Sequence, residues 1–387
     1  MREVSITILS LSLLTVMVGA AIAPALSNLE EYFNEANITL IKLIVTIPSL
    51  FIIPSTIVVS KLSHKYSKKS LIMLGLSLYL VGGVGGAFVN NISILLFFRA
   101  VLGIGVGFIM PLTTSLISDY FEGEKRATMM GRASASNNFG GIISLLLSGW
   151  LAAISWRYSF SVYLIGLIVL LLVWLFLPNE QKKTDTINTG KSKLPKRVYV
   201  ISISMFLIII AFYSIPANIA IYVNELSLGD STIAGVVISF ISISGFIAGF
   251  LYRKIKVFLI KMFVPTLFLL MSIGFYLIGT GTNLFMICAG VLIMGTGMGL
   301  YIPDLFLAVS NSVDKKNTVT AMSIVSSTMF LGQFFSPIFL DFISEFFGNG
   351  NIRFPYLFLS VTILIFALSS FFTNIFKKSK KVSQVVS

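Results

Sequence analysis

Twelve runs of mainly apolar residues, separated by polar connections, follow one another along the chain. Each run has about 20 residues, and a helix of that length crosses a hydrocarbon core about 30 Å thick. Because lipid offers the backbone no hydrogen-bond partners, we predict that every run is a membrane-spanning α-helix. The predicted spans, numbered 1 to 12, cover residues 4–26, 40–60, 71–89, 92–118, 128–154, 159–177, 198–223, 231–252, 260–280, 284–310, 319–343 and 353–376.

A short glycine pattern occurs twice and relates the two halves of this arrangement. Span 4 contains G-x-G-x-G-x-x-x-P at 103–111, and span 10 contains it at 295–303, an offset of 192 residues. Twice that offset is almost the full length of 387 residues. We therefore predict a duplicated unit of about 190 residues, a period far too long for a solenoid. The same offset relates Pro24 to Pro216, Gly140 to Gly332 and Lys69 to Lys261.

The composition is typical of a chain that faces lipid. Charged residues make up 11% of the sequence and apolar residues 56%, whereas soluble domains carry about 25% charged residues. The first run begins at Val4 and lacks the short apolar region and cleavage site of a secretory signal, so we expect it to span. The single cysteine, Cys288, excludes an intrachain disulfide framework and is typical of a small apolar residue inside a helix. We expect no cofactor and no metal.

The net charge of +13 follows from where the basic residues lie. Alternate connections and the two termini hold 24 of the 28 Lys and Arg residues, and the other four are Lys42, Arg99, Arg157 and Arg353. By the positive-inside rule, this distribution predicts a multi-pass protein of the cell membrane with both termini in the cytoplasm. Attraction to anionic lipid accounts for the excess charge, so we expect the bilayer as a partner and no nucleic acid.

The most polar segment lies between the two copies, at residues 178–197, and is rich in Lys, Thr and Asn. It is too polar for a core, so we predict a cytoplasmic linker. The linker joins an N-terminal six-helix bundle at 1–177 to a C-terminal six-helix bundle with a short basic tail at 198–387. Because each copy has an even number of spans, the two copies insert in the same orientation.

Span 4 carries a charge inside its apolar run. Arg99 lies about two turns from the outer end, where a charge is costly unless water or a partner meets it. Gly103 and Gly107 share a helix face, as do Gly295 and Gly299, so we predict that these glycines permit close helix packing. Prolines at equivalent places in the two copies predict helix bends, which either allow each half to rock or only make the packing irregular. The predicted bends are at Pro24, Pro111, Pro216 and Pro303.

Three motifs together resemble those of the major facilitator superfamily. The first is Arg99-x-x-x-Gly-x-Gly-x-Gly in span 4, and the second is D-Y-F-E-G-E-K-R-A-T-M-M-G at 119–131. The third, Ser-Gly149-Trp-Leu-Ala followed by Ser-Trp-Arg157, is similar to the end of helix 5 in the family's drug–proton antiporter branch. The resemblance implies an all-α membrane protein with twelve transmembrane helices in two parallel six-helix repeats. It also implies a central cavity among spans 1, 4, 7 and 10, flanked by spans 2, 5, 8 and 11.

Two motifs depart from the family pattern. The loop between spans 2 and 3 has His64 where the family carries an acid, and Ser60 and Ser67 where it carries glycines. That acid is thought to hold the N-terminus of helix 11, so a neutral His would weaken this cytoplasmic gate unless it is only a solvated loop residue. Span 5 has Ser144-Leu145 in place of the antiporters' Gly-Pro. The predicted gate residues are Lys61, His64, Lys65, Lys68, Lys69, Asp119 and Arg126.

Asp304 is the acid that lies most clearly inside an apolar run. A carboxyl group at membrane depth can take up and release a proton, and with Arg99 it forms our predicted pair for transport and proton coupling. The alternative is a side chain that reaches the cytoplasmic surface nearby. Amide and phenol groups on the central and flanking spans either line the cavity or bond neighbouring helices. The predicted cavity residues are Asn137, Asn138, Tyr213, Asn218, Tyr222, Tyr301 and Gln333.

These observations favour a secondary transporter that moves a small, amphipathic or apolar compound across the cell membrane by alternating access. We expect proton-coupled efflux, with proton-coupled uptake of a nutrient or metabolite as the alternative, followed by a non-transporting sensor of the same fold. An enzyme is not expected, because one His, one Cys and scattered acids offer no nucleophile–base pair or metal cluster. The expected partners are a small-molecule substrate, protons and the bilayer, and we expect a monomer.

Overall fold

The computed structural model describes residues 2–63, 65–179, 194–314 and 317–383, and these residues form helices joined by short turns. The α-helices are α1 (Arg2–Ala20), α2 (Leu26–Tyr32), α3 (Ile38–Leu62), α4 (Lys68–Gly85), α5 (Ile92–Tyr120), α6 (Gly123–Ile154), α7 (Trp156–Ser159), α8 (Ile165–Phe176), α9 (Lys196–Glu225), α10 (Ser231–Leu259), α11 (Phe263–Thr280), α12 (Leu284–Ser310), α13 (Thr318–Gly348) and α14 (Phe354–Ser383).

Eleven helical segments in the described part of the chain are long and apolar enough to cross a membrane. The longest, Ser231–Thr280, has 50 residues and consists of α10 and α11 joined by a 3₁₀ turn at Ile260–Met262. Ile260 has a φ of 44°, a left-handed conformation that is rare for a β-branched residue and that interrupts the helix. A helix of 50 residues would measure about 75 Å, more than twice the hydrocarbon core, so the segment supplies two of the twelve predicted spans.

Asparagine caps fix where two equivalent helices begin. The Asn91 side chain accepts a hydrogen bond from Ser93 N, and the Asn283 side chain accepts one from Met286 N. Each bond satisfies a backbone N–H that the first turn of a helix leaves unpaired. The two asparagines differ by the repeat offset of 192, and α5 and α12 begin at 92 and 284 as predicted. The duplication therefore extends to the caps of spans 4 and 10.

The predicted packing glycines lie at close helix contacts, and the contacts are equivalent in the two copies. A Cβ on Gly103 would lie 2.3 Å from the carbonyl oxygen of Pro48, so α5 packs backbone to backbone on α3. In the second copy, a Cβ on Gly299 would lie 2.7 Å from the Cα of Gly245, so α12 packs on α10. Gly107 and Gly295 lie at the same two contacts.

Replacing Gly103 by alanine should lower the free energy of unfolding by about 2 kcal/mol or more, because the overlap is with backbone atoms that cannot move aside cheaply. Thermal unfolding of the purified protein in detergent measures this change. Gly131→Ala in α6 is the matched control, since nothing lies within 4 Å of a Cβ built there. The control should unfold at the wild-type temperature or slightly above it, because alanine is the better helix former. Equal shifts for the two variants would contradict the packing role of Gly103.

The four repeat-related prolines have different surroundings. Pro24 lies in a 3₁₀ turn at Ala23–Ala25, which separates α1 from α2. Its counterpart Pro216 lies inside α9, which continues for 30 residues. Pro111 and Pro303 lie inside α5 and α12. The first span is therefore interrupted at its proline, whereas the other three helices continue through theirs.

The chain divides into two compact units by the density of its contacts. One unit comprises Met1–Ser239 and Ser312–Phe339, and the other comprises Phe240–Asn311 and Leu340–Ser387. The boundaries fall inside α10 and α13, so each of these helices contributes to both units. Most of the predicted linker, residues 180–193, lies outside the described residues. The division into six-helix halves at 178–197 stays a prediction.

Candidate functional site

A cavity of about 170 Å³ lies within the first unit, among α1, α3, α5, α6, α9 and α13. Its walls are mainly aliphatic, with two methionines and two aromatic rings, so a ligand inside would contact mostly apolar and polarisable atoms. The lining residues are Thr15, Val16, Val18, Gly19, Val45, Ser49, Ile52, Val106, Met110, Asn137, Tyr213, Met329, Phe330 and Gln333.

Two hydroxyl–amide pairs supply most of the polar groups of this cavity. The Thr15 hydroxyl lies 2.9 Å from the Asn137 side-chain oxygen and joins α1 to α6. The Ser49 hydroxyl donates to the Gln333 side-chain oxygen at 2.7 Å and joins α3 to α13. Each amide therefore has a hydroxyl partner, which matters because a buried polar group is costly without one.

A second recess, of about 200 Å³, adjoins the cavity and shares Thr15, Met110 and Asn137 with it. Helices α1, α5 and α6 form its wall, which is rich in hydroxyl groups. The remaining lining residues are Ser12, Thr113, Thr114, Ile117, Met130, Ala133 and Ser134. Because the recess and the cavity have three lining residues in common, they are neighbouring spaces, with Asn137 on the boundary between them.

Three of the predicted cavity residues, Asn137, Tyr213 and Gln333, line the cavity, and the other four lie elsewhere. The Asn138 amide donates to Ser134 O, one turn earlier in its own helix. Asn218 likewise donates to Ser214 O at 2.9 Å. Tyr222 is fully buried outside the cavity lining. Tyr301 belongs to the second unit, where its ring packs against Phe268 with centroids 5.1 Å apart.

Arg99 is fully buried behind the cavity wall, in the middle of a hydrogen-bond network. Its Nε donates to Ile44 O at 2.6 Å, one terminal nitrogen donates to Val18 O, and the other donates to the Tyr163 hydroxyl. Tyr163 in turn donates to Val18 O at 2.8 Å. Since Val18 lines the cavity, the guanidinium fixes the wall by tying α5 to the backbones of α1 and α3.

Asp304 lies in the second unit, where α12 contacts α10. Its carboxylate accepts a hydrogen bond from the Tyr252 hydroxyl at 2.8 Å and forms an ion pair with Lys256. The ammonium group also donates to the Tyr252 hydroxyl at 2.8 Å. The Asp304 side chain is 16% exposed and the Lys256 side chain 39%, so the carboxylate is largely shielded and the ammonium end of the pair reaches solvent. The structure thus gives the carboxylate a cationic partner within its own unit.

The predicted gate contains one well-formed ion pair. Lys68 Nζ contacts Asp119 Oδ2 and the Ser115 hydroxyl, each at 2.6 Å. Lys68 begins α4 and Asp119 lies at the end of α5, so each charge occupies a helix terminus that it would destabilise alone. Lys69 donates to Trp174 O at 2.7 Å.

The other predicted gate residues are more exposed to solvent than Lys68 and Asp119 or lie outside the described part of the chain. Lys61, Lys65 and Arg126 are exposed, and Lys65 lies over the Tyr66 ring. His64 lies outside the described residues.

A double-mutant cycle with Lys68→Met and Asp119→Asn should give a coupling energy of about 1 kcal/mol, because both side chains are largely shielded from water. Chemical unfolding of the four proteins in detergent measures it. A cycle that pairs Lys61→Met with Asp119→Asn is the control and should show no coupling, since Lys61 is exposed. Equal coupling energies in the two cycles would show that the Lys68–Asp119 contact has no specific effect.

Sequence reasoning missed several residues that complete these sites. Tyr163 lies 64 residues from Arg99, and no local pattern connects them. Thr15 and Ser49 are hydroxyl groups in apolar runs, where self-bonded hydroxyls are common. Lys256 could have been predicted as a partner, because extending span 8 past residue 252 places it one turn after Tyr252 on the same helix face.

The pattern of the Major Facilitator Superfamily matches residues 8–337 and, a second time, residues 261–386. The first match alone covers well over half of the chain. The chain belongs to the Major Facilitator Superfamily. The membership confirms the predicted family and the all-helical fold, and it places the chain among multi-pass membrane transporters rather than enzymes.

Curated superfamily members resemble parts of the chain. Quinolone resistance protein NorA of Staphylococcus aureus is 33% identical over 135 residues, which are 34% of this chain and 34% of that protein. Multidrug transporter protein MdtP of Bacillus subtilis is 27% identical over 143 residues, 36% of this chain and 26% of that protein. An MFS-type transporter of Bacillus subtilis, YcnB, is 33% identical over 120 residues, 30% of this chain and 25% of that protein. The matches therefore span between a quarter and about a third of these relatives.

Solved superfamily structures match nearly the whole chain. A bacterial homologue of the human lysosomal transporter Spinster, inward-facing and occupied, superposes with a TM-score of 0.78, 16% identity and coverage of 96% of both chains. The crystal structure of a D-xylose–proton symporter gives a TM-score of 0.76 at 16% identity, covering 95% of this chain and 97% of that chain. At this identity the likeness shows the superfamily fold.

Proposed function

We propose that the protein is a secondary transporter that exports a small, amphipathic or apolar compound across the cell membrane by alternating access, in exchange for protons. The observation that carries the proposal is the cavity among α1, α3, α5, α6, α9 and α13. Its aliphatic, methionine and aromatic walls, with a few amide and hydroxyl groups, suit such a compound better than a polyanion. The superfamily fold supplies a site between repeats of the kind that alternating access requires.

Two further observations support export driven by protons. The curated relatives include proteins named for multidrug transport and quinolone resistance, although each match covers only part of them. Asp304 is an acid inside a spanning helix, held by Lys256 and the Tyr252 hydroxyl. A carboxylate that can exchange a cationic partner for a proton is a suitable coupling group. We assign Arg99 to the same machinery as the residue that fixes the cavity wall.

The proposal includes the arrangement of the chain in the membrane. Both termini and the linker at 178–197 lie in the cytoplasm, and the linker joins two six-helix halves. The ion pair between Lys68 and Asp119 then belongs to the cytoplasmic gate, and the protein functions as a monomer. The distribution of Lys and Arg along the chain supports this orientation.

Cells with and without the protein, loaded with a panel of neutral and cationic aromatic dyes, test the proposal. Expressing cells should accumulate less of at least one dye, and a protonophore should abolish the difference. A difference that survives collapse of the proton gradient would contradict proton coupling. Higher accumulation in expressing cells would instead indicate uptake. Dye binding to the purified protein without any difference in accumulation would indicate a sensor and contradict transport.

A further inference from the structure

The orientation of the Gln333 amide follows from its partner in the cavity. Ser49 has one hydroxyl hydrogen, which it donates to the Gln333 oxygen at 2.7 Å, and the structure gives this hydroxyl no second acceptor among the described residues. With its oxygen occupied, the Gln333 side chain keeps two N–H donors for other partners. Because Gln333 lines the cavity, these donors are available to a ligand.

The other amide, Asn137, is held less firmly. The Thr15 hydroxyl has one hydrogen but two neighbouring acceptors, Ser12 O at 2.8 Å and the Asn137 oxygen at 2.9 Å. Since one hydrogen cannot fully serve both, Asn137 can turn and offer either its oxygen or its nitrogen to a ligand. Gln333 is therefore the amide whose orientation is defined, and it offers its N–H donors to an acceptor atom of the ligand.

Tyr213 adds a second donor. It lines the cavity, and its hydroxyl makes no hydrogen bond to the described residues. Its ring packs edge-on against Phe212, with centroids 5.5 Å apart, so the ring is supported while the hydroxyl stays available. A phenol in such a position donates to an acceptor atom of a ligand.

The cavity offers no charge to a ligand. Of the described residues that line the cavity and the adjoining recess, none is Asp, Glu, Lys, Arg or His. A cation would lose its hydration shell here without a carboxylate to replace it, which is costly in apolar surroundings. The remaining wall includes Met110, Met329 and Phe330, which suit a flat aromatic body.

We propose that this cavity binds an uncharged aromatic compound that carries a hydrogen-bond acceptor, such as a ketone or lactone oxygen. Gln333 and Tyr213 donate to the acceptor oxygen, and Ser49 is a positioning residue that keeps the Gln333 amide turned toward it. The inference rests on the proposed function only in taking this cavity as the substrate site of the transporter.

Three compounds with one ring frame test the proposal. N-methylacridone is neutral with a carbonyl acceptor, anthracene has no polar group, and N-methylacridinium is a cation. Equilibrium dialysis against the full chain in lipid nanodiscs, corrected for empty nanodiscs, measures their affinities. N-methylacridone should bind at least about fivefold more tightly than anthracene, the value of one neutral hydrogen bond. Equal or tighter binding of the cation would overturn the proposal.

Variants of Gln333 and Ser49 separate recognition from folding. Gln333→Met should lower N-methylacridone affinity about fivefold and leave anthracene affinity unchanged. Gln333→Glu should reverse the preference in favour of N-methylacridinium, an outcome that misfolding cannot produce. Ser49→Ala should narrow the difference between N-methylacridone and anthracene, because the released amide can turn. Unchanged selectivity in Ser49→Ala would remove its positioning role.

Thr328→Val in α13 is the matched control, because its hydroxyl bonds Val325 O in its own helix and does not line the cavity. It should bind all three compounds as the wild type does.

The proposed function and this inference can fail separately. If N-methylacridone binds with the predicted selectivity but is never transported, transport is refuted and the recognition stands. Transport of other compounds without this selectivity would refute the recognition alone.

Discussion

Replacing Arg99 by methionine should lower the free energy of unfolding by about 3 kcal/mol and abolish substrate flux. Methionine replaces the unbranched apolar stem but cannot donate to Ile44 O, Val18 O or the Tyr163 hydroxyl. Three hydrogen bonds from a charged group are lost inside apolar surroundings, where water cannot replace them. Because Val18 lines the cavity, its wall loses its fixed position as well.

Unfolding of the purified protein in detergent and flux in proteoliposomes measure the two effects. Arg132→Met is the control: Arg132 is exposed on α6, so its loss should change neither quantity. Arg99→Lys keeps the charge but loses the planar fork that reaches three acceptors, so it should remain well below the wild type in stability. If Arg99→Met unfolds as the wild type does, the network has no structural importance.

Replacing Asp304 by asparagine should abolish proton-coupled flux, because the amide cannot take up or release a proton. It also leaves Lys256 without the ion pair that it forms with Asp304. A structural role would give the same single-variant result, so the double variant Asp304→Asn with Lys256→Gln is needed. If the pair is only structural, removing both charges should restore flux; if Asp304 carries the proton, the double variant should stay uncoupled.

Flux driven by an imposed pH gradient in proteoliposomes measures this prediction. Asp314→Asn, which changes an exposed carboxylate beside α13, should transport as the wild type does. Downhill flux without a pH gradient is the companion readout, since an uncoupled but folded carrier can still exchange its substrate. Normal gradient-driven flux in Asp304→Asn would remove that residue from the coupling mechanism.

The spans and the repeat could be predicted from the sequence because both depend on local patterns. Apolar runs of about 20 residues predict membrane-spanning helices directly, because their length matches the hydrocarbon core. The glycines at 103, 107, 295 and 299 have the four-residue spacing that places small residues on one helix face, and the structure places them against neighbouring backbones. The boundary between spans 8 and 9 is harder to predict, because a 3₁₀ turn rather than a polar loop separates α10 from α11.

The candidate site could be predicted only in part, because its side chains come from distant segments. Asn137, Tyr213 and Gln333 share the cavity, but Asn218 has the same chemistry and bonds its own helix. A sequence does not show which face of a buried helix meets a void. The partners of Arg99 are two backbone carbonyls and a tyrosine. Every residue has a backbone carbonyl, so the sequence does not show which carbonyls accept from Arg99. Charge at membrane depth identified the residue but not its contacts.

Proton-driven transport by the purified protein tests the central claim most directly. The protein is reconstituted in liposomes, and the neutral and cationic aromatic dyes are followed under an imposed pH gradient of either sign and under none. We predict that at least one dye moves against its concentration gradient toward the acidic compartment, and that a protonophore stops this movement. Dye movement that depends only on the dye's own gradient, whatever the pH difference, would contradict the account.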